Sequence, residues 1–305
     1  FRLLCSGPSL SIVLSIEFQM QGSLLALVGL LAVAVAQQCG QTPIKPNLLV
    51  GAKLPQTANV QTGNAVIGGN QVNAYSWPWT VALCSYDWFN NCNFQAAGTI
   101  IGNQWILTTA SALGTTKAKD WRVQAGVYDE SNKNEPTEQF VAVSAVYIHS
   151  QYDGSHNDIA LIQLTSPLRF DQFTQPVCLP SNDYNAIQAG QYQWFTGWGY
   201  TTNYQFGNPT KQMQQAQLYI DPLSVCSNYY KDSIWDSQIC VGTPQKTTCN
   251  YDVGGPLLQQ ANTNSAWYQY GISSYRAKNC DAASVFTRVS SYCSWITSYT
   301  GIKCV

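Results

Sequence analysis

The sequence predicts an all-β fold, a barrel or sandwich of short strands, and three observations predict it. Runs rich in β-branched and aromatic residues recur between turn residues, the pattern of strands at close spacing. At 45% hydrophobic and only 10% charged residues the chain can bury a substantial core and is not a disordered polyelectrolyte. Of the eleven cysteines, removing the N-terminal Cys5 leaves an even set, which in a secreted chain implies disulfides.

The N-terminal elements are leader-like. "MQGSLLALVGLLAVAVAQQCG", from Met20, carries an apolar run too short to span a membrane comfortably and ends in small residues. It reads as a secretory signal over 20–36, cleaved after Ala36, with residues 1–19 as upstream non-native sequence. Residues 37–65 have the Gln, Asn, Thr and Pro content of a pro-segment or linker, and the folded domain occupies 66–305.

Within that domain the β-rich runs are, in order, "WTVALC", "AGTIIGNQWILTTA", "DWRVQAGVY", "QFVAVSAVYI", "DIALIQL", "QYQWFTGWG", "QMQQAQLYI", "GGPLLQQ", "WYQYGISSY" and "SVFTRV". Two stretches read as helices. One is "DPLSVCSNYY", with Asp221 as cap and Pro222 in the first turn, and the other is "SSYCSWITSY" near the C-terminus. No internal repeat, dinucleotide-binding glycine motif or phosphate-binding loop occurs.

Charge and metal chemistry narrow the function classes. A net charge of −1 without a basic cluster supplies no electrostatic term for nucleic acid or an anionic membrane. With no C-x-x-C and with His149 and His156 as the only histidines, no metal site is expected, and no cofactor.

Six blocks, taken together and in this order, carry a resemblance over most of the chain from Val66 to Thr300: "VIGG" (66–69), "NDIALIQL" (157–164), "PVCLP" (176–180), "GWG" (197–199), "DVGGP" (252–256) and "VFTRVSSYCSWI" (285–296). The chain resembles a chymotrypsin/trypsin-like serine protease. That resemblance implies two six-stranded antiparallel β-barrels, about 66–176 and 177–290, a C-terminal helix and tail over 291–305, and a cleft between the barrels.

The chemistry of such an enzyme needs a hydroxyl nucleophile, an imidazole base, a carboxylate to orient it and backbone N–H groups for the oxyanion. The block matching the histidine motif reads "TTASA" and puts Ser111 at the base position. Asp158 keeps the carboxylate, Val253 takes the nucleophile position, and Tyr251 takes that of an oxyanion-hole glycine. A serine hydroxyl is not basic near neutral pH, and an isopropyl group cannot attack a carbonyl. Loss of nucleophile or base alone costs on the order of a millionfold in kcat. The triad positions are therefore degenerate, and no catalytic residue is assigned. His149 and His156 are expected to be polar loop histidines rather than substitutes.

The resemblance also implies the bridges Cys226–Cys240, Cys249–Cys280 and Cys39–Cys178, after which Cys84–Cys92 and Cys293–Cys304 pair by elimination and short loop length. Two bridges usual in the family have lost both ends together, at Ala96 with Ala112 and at Gln193 with Gln259. Thr247, Tyr275, Arg276 and Ser284 fall along the former specificity pocket, with Thr247 where trypsin-like members carry Asp. A cleft closed by Arg276 and a repurposed binding groove both remain open.

Activation in the family follows a cut after Arg or Lys, whereas Ala65 precedes Val66 here. The chain is therefore expected to stay uncut at this point, with Asp252 finding another partner. "YDESNKNEPTEQF", with Asp129, Glu130, Glu135 and Glu138, matches a calcium loop of some relatives, but Val127 occupies a ligand position and a solvated acidic loop is expected. Trp88 and Phe89 in "CSYDWFNNC" are candidate interface anchors.

These readings converge on a secreted, non-catalytic serine protease homologue that binds an extracellular protein partner, as a cofactor or decoy in a protease or immune cascade. The alternative is a structural or matrix component that self-associates. A residual hydrolase comes third, because Ser111, Asp158 and Val253 offer no chemistry for one.

Overall fold

A computed structural model describes residues 38–48, 67–87, 91–114, 117–132, 135–200, 209–261 and 265–305. The expected leader, the 65/66 junction and the aromatic tip Trp88–Phe89 lie outside the described residues.

Strands and helices follow in the order β1 (Asn70–Gln71), β2 (Thr80–Tyr86), β3 (Cys92–Gly102), β4 (Trp105–Thr108), α1 (Ala110–Leu113), β5 (Trp121–Ala125), β6 (Gln139–Ile148) and β7 (Ala160–Leu164). The chain continues through β8 (Tyr192–Gly197), β9 (Gln214–Asp221), α2 (Leu223–Tyr230), β10 (Gln238–Val241), β11 (Pro256–Gln260), β12 (Trp267–Tyr275), β13 (Ser284–Arg288) and α3 (Cys293–Thr300). Strands β2-β3-β4-β7-β6-β5 close one antiparallel barrel. A second closes through β9-β10-β13-β12-β11-β8, because β8 also pairs with β9.

The expected pair of six-stranded barrels is thus what forms, with local corrections. Strand β1 pairs with β9, Asn70 facing Gln215, so the start of the 66–176 segment joins the second barrel's sheet. Strand β10 escaped the sequence reading because its four residues are all buried and give no alternation. Asp221 does not cap α2: it ends β9, and Pro222 takes the N-cap position without a side-chain bond. Helix α1 was also missed, being one turn long, and it is the element that carries Ser111.

Packing explains why the barrels stay together. Val81, Leu83, Ile100, Ile106, Leu107, Val123 and Ile162 fill the first barrel, and Phe195, Leu218, Ile239, Val241, Leu257 and Phe286 fill the second. Trp77, ahead of β2, meets Trp267 of β12 edge to face at 4.7 Å, and its indole N–H donates to Gln215 Oε1 at 2.8 Å. An indole in that setting gains apolar burial while its one donor stays satisfied.

Five disulfides occur among the described residues, with the expected pairing: Cys39–Cys178, Cys84–Cys92, Cys226–Cys240, Cys249–Cys280 and Cys293–Cys304. The first fastens the 38–48 segment across the domain, where Gly40 N–H donates to Pro176 O and Gly40 O accepts from Trp267 N–H. Gly40 has a φ of +72°, and a Cβ there would lie 2.5 Å from Trp267 O, so a side chain is excluded twice over. At the paired non-cysteine positions, Gln193 Nε2 donates to Gln259 Oε1 at 3.4 Å, a polar contact where the family's covalent link would stand.

Candidate functional site

The site forms around α1, the 249–255 loop and the end of β12. Thr109 caps α1 by accepting from Ala112 N–H at 3.2 Å, which fixes Ser111 in the first turn. Ser111 Oγ donates to Asp158 Oδ2 at 2.6 Å and Ser111 N–H to Oδ1 at 2.8 Å. From the other barrel, Ser274 Oγ donates to Asp158 Oδ2 at 2.6 Å, and Thr287 Oγ1 donates to the Asp158 carbonyl at 2.7 Å. The carboxylate is 2% exposed, so it joins the barrels through hydrogen bonds rather than through solvent. Burial raises its pKa, while the bonds from Ser111 and Ser274 act in the opposite sense.

The 249–255 loop is held from both sides. Cys249–Cys280 anchors its start, and Ala97 N–H of β3 donates to Val253 O at 3.0 Å. Gly254, at φ +83°, packs so closely that a Cβ would lie 2.2 Å from Ala97 O. Tyr251 has a φ of +69°, a conformation costly for any residue with a Cβ. Its ring stacks on Phe94 at 5.9 Å and tilts against Tyr200 at 5.5 Å, contacts that offset the strain. Val253 is half-buried and packs against the first barrel's core.

Asp252 is fully buried. Its Oδ1 accepts from Gly199 N–H at 3.0 Å and Oδ2 from Cys249 N–H at 2.9 Å, while burial pushes its pKa up to about 7. The Arg276 guanidinium favours the ionised form of Asp252, and burial in turn lowers the Arg276 pKa. Asp252 therefore has partners within the described chain. Just after the junction, Ile67 N–H donates to Thr247 O at 3.2 Å.

The residues expected along the specificity pocket divide into two kinds. Thr247 and Ser284 are fully buried and share a 2.8 Å hydrogen bond, and Thr248 Oγ1 donates to Ser284 Oγ at 2.8 Å. Tyr275 and Arg276 are half-exposed, with Tyr275 edge to face on Tyr230 at 5.2 Å.

One expectation around the site is corrected and another is made more specific. His156 is a polar loop histidine as expected, and it is 7% exposed and bonded through both ring nitrogens. The acidic loop is not simply solvated, because Glu135 is buried and accepts from Tyr128 N–H at 2.9 Å and Asp129 N–H at 2.8 Å. No group of three or more His, Cys, Asp or Glu is placed to hold a metal ion among the described residues. Sequence reasoning missed Ser274, Thr287 and Gly199. The Ser-Ser pair directly before Tyr275 was the available signal for the first.

In chemical terms, the Ser111 hydroxyl hydrogen points at a carboxylate, and a carboxylate is a poor base toward a hydroxyl. The isopropyl group of Val253 offers no lone pair.

No helix among the described residues is long and apolar enough to cross a membrane. Residues 66–296 match the Trypsin family. The chain is 29% identical over 254 residues to Ovochymase of Halocynthia roretzi, an alignment covering 80% of this chain and 16% of that protein. The chain thus spans about a sixth of that relative's length. The double barrel, its loop around Asp252 and the family match together place this chain in the trypsin family of serine proteases.

Proposed function

We propose that this chain is a non-catalytic member of its family that acts by binding another protein outside the cell. The observation that carries the reading is the pair Ser111 and Val253: one residue occupies the base position without a basic atom, and the other the nucleophile position without a nucleophile. What remains of the site is bonded as structure. Asp158 joins the barrels through Ser111 and Ser274, and Asp252 accepts two backbone N–H groups.

The five disulfides among the described residues favour an oxidising, extracellular setting, in which exposed loops can be kept rigid for recognition. The half-exposed Tyr275 and Arg276 give the former cleft an aromatic and cationic wall suited to a protein ligand. A cofactor or decoy in a protease cascade is the role this fits.

The test is capture of partners from native extracellular fluid on the oxidised chain, with sedimentation of the purified protein in parallel. Recovery of a protease or a protease substrate, with a monomer in the centrifuge, supports the reading. Self-association without a partner favours an assembly role and overturns it.

A further inference from the structure

A second cluster of polar side chains lies in the 149–159 connection between β6 and β7. His156 Nδ1 is 3.0 Å from Asp153 Oδ2 and 3.1 Å from Ser155 Oγ, and Nε2 is 2.9 Å from the Ser233 carbonyl of the second barrel. The imidazole stacks on Trp235, with centroids 3.8 Å apart and planes 16° from parallel. Around this ring, Asp153 N–H approaches His156 O at 3.4 Å and His156 N–H donates to Asp153 Oδ1 at 2.7 Å. A further bond across the same seam, from Gln238 Nε2 to Ser155 O at 3.1 Å, needs no titratable group.

Ring chemistry makes this arrangement proton-dependent. A carboxylate oxygen and a carbonyl oxygen only accept, so satisfying both requires an imidazolium that donates from both nitrogens. A neutral ring donates once. With its hydrogen on Nε2 it keeps Ser233 and accepts from the rotatable Ser155 hydroxyl at Nδ1, and it then gives up Asp153. The charges that face it are Asp153 on its own loop and Asp232 on the opposing loop, and both favour the cation. Tyr275 of β12, close to both carboxylates, keeps its phenol neutral because burial pushes its pKa up to about 12.

We propose that His156 is a proton-operated latch between the two barrels, which in its cationic form ties the 149–159 connection to the 231–237 connection and stacks Trp235 against the seam. On loss of the proton, Asp153 and Asp232 keep their negative charges without the cation that both face, and the 231–237 connection loosens. Trp235, 45% exposed, is the side chain whose surroundings change. Asp158 lies two residues on in the same connection, so the latch adjoins the hydrogen bonds that join the barrels at the former active site. His156 raised above the usual imidazole range by Ser233 and Asp153, against the burial that lowers it, agrees with this geometry.

The test is a pH titration of the full oxidised chain by NMR, following both histidine rings and the backbone amides of 232–236 from about pH 5 to about pH 9. Having only two histidines makes ring assignment direct, and His149, lowered by burial, is an internal reference. The expected result is a His156 midpoint above that of His149, with the 232–236 amides and the Trp235 indole shifting at the His156 midpoint. H156Q should abolish those shifts. D232N, at an exposed position, should lower the His156 midpoint while the fold holds, so the test survives a misfolded H156Q. Amides of 232–236 that stay constant through the His156 titration, or a His156 midpoint at or below that of His149, would overturn the proposal.

Discussion

Ser111 and Asp158 are joined twice, the hydroxyl of Ser111 to Oδ2 at 2.6 Å and its amide to Oδ1 at 2.8 Å, so both carboxylate oxygens contact one residue of α1. Ser274 brings a third donor from the opposite barrel. The buried carboxylate of Asp158 is thus a point of attachment between the barrels.

That relationship sets the first prediction. S111A removes one hydrogen bond to a buried charge and should cost about 1–2 kcal/mol in urea unfolding, with S274A similar. D158A leaves donors from both barrels without an acceptor and should cost roughly 3 kcal/mol or more. Equal, negligible losses for all three would show that the carboxylate is not a structural link.

Asp252 gives a pH dependence whose sign follows from its burial. Its folded pKa of about 7 lies above its unfolded value, so the favourable contribution is complete below about pH 4 and is lost as pH rises through about 7. A difference of this size amounts to on the order of 4 kcal/mol at full ionisation. The melting temperature should fall between pH 5 and pH 8 by an amount that D252N reduces, as calorimetry of the two proteins can show.

Gly199 tests the same carboxylate sterically. A Cβ there would lie 2.2 Å from Asp252 Cγ, deep in the fold, where neither backbone nor carboxylate can move aside cheaply. G199A should destabilise by at least about 2 kcal/mol or prevent folding, whereas G114A, with open space around its Cβ but a φ of +59°, should lose only about 1 kcal/mol.

The Cys39–Cys178 bridge closes 139 residues of chain, and its loss frees a long loop in the unfolded state. Replacing both cysteines by serine should cost about 4–5 kcal/mol in denaturant unfolding, more than the same change at Cys84–Cys92, which spans 8 residues.

How far the sequence could be read depends on the range of the interaction. Alternation is a local property, so most strands were legible from it, whereas the barrel pair and the bridges Cys39–Cys178, Cys226–Cys240 and Cys249–Cys280 were legible only through the family resemblance that the six blocks carry. The four all-buried residues of β10 and the single turn of α1 have no periodicity to read, and their conformation is set by the sheet and by Thr109. At the site, Ser111, Asp158 and Val253 could be aligned with known blocks. The partnership of Asp158 with Ser274, 116 positions away, and the clamp of His156 between Asp153 and Ser233, 77 positions away, exist only once the barrels meet. The burial of Glu135 was hidden for a related reason, since its two N–H donors belong to a turn that closes only in the folded loop.

The proposed function rests on an absence of turnover, which labelling of the oxidised chain with a fluorophosphonate probe, followed by peptide mass spectrometry, measures. No labelling is expected at any serine, Ser111 included, under conditions in which an active relative reacts completely. Stoichiometric modification of Ser111 or of any other serine, abolished by heat denaturation, would contradict it.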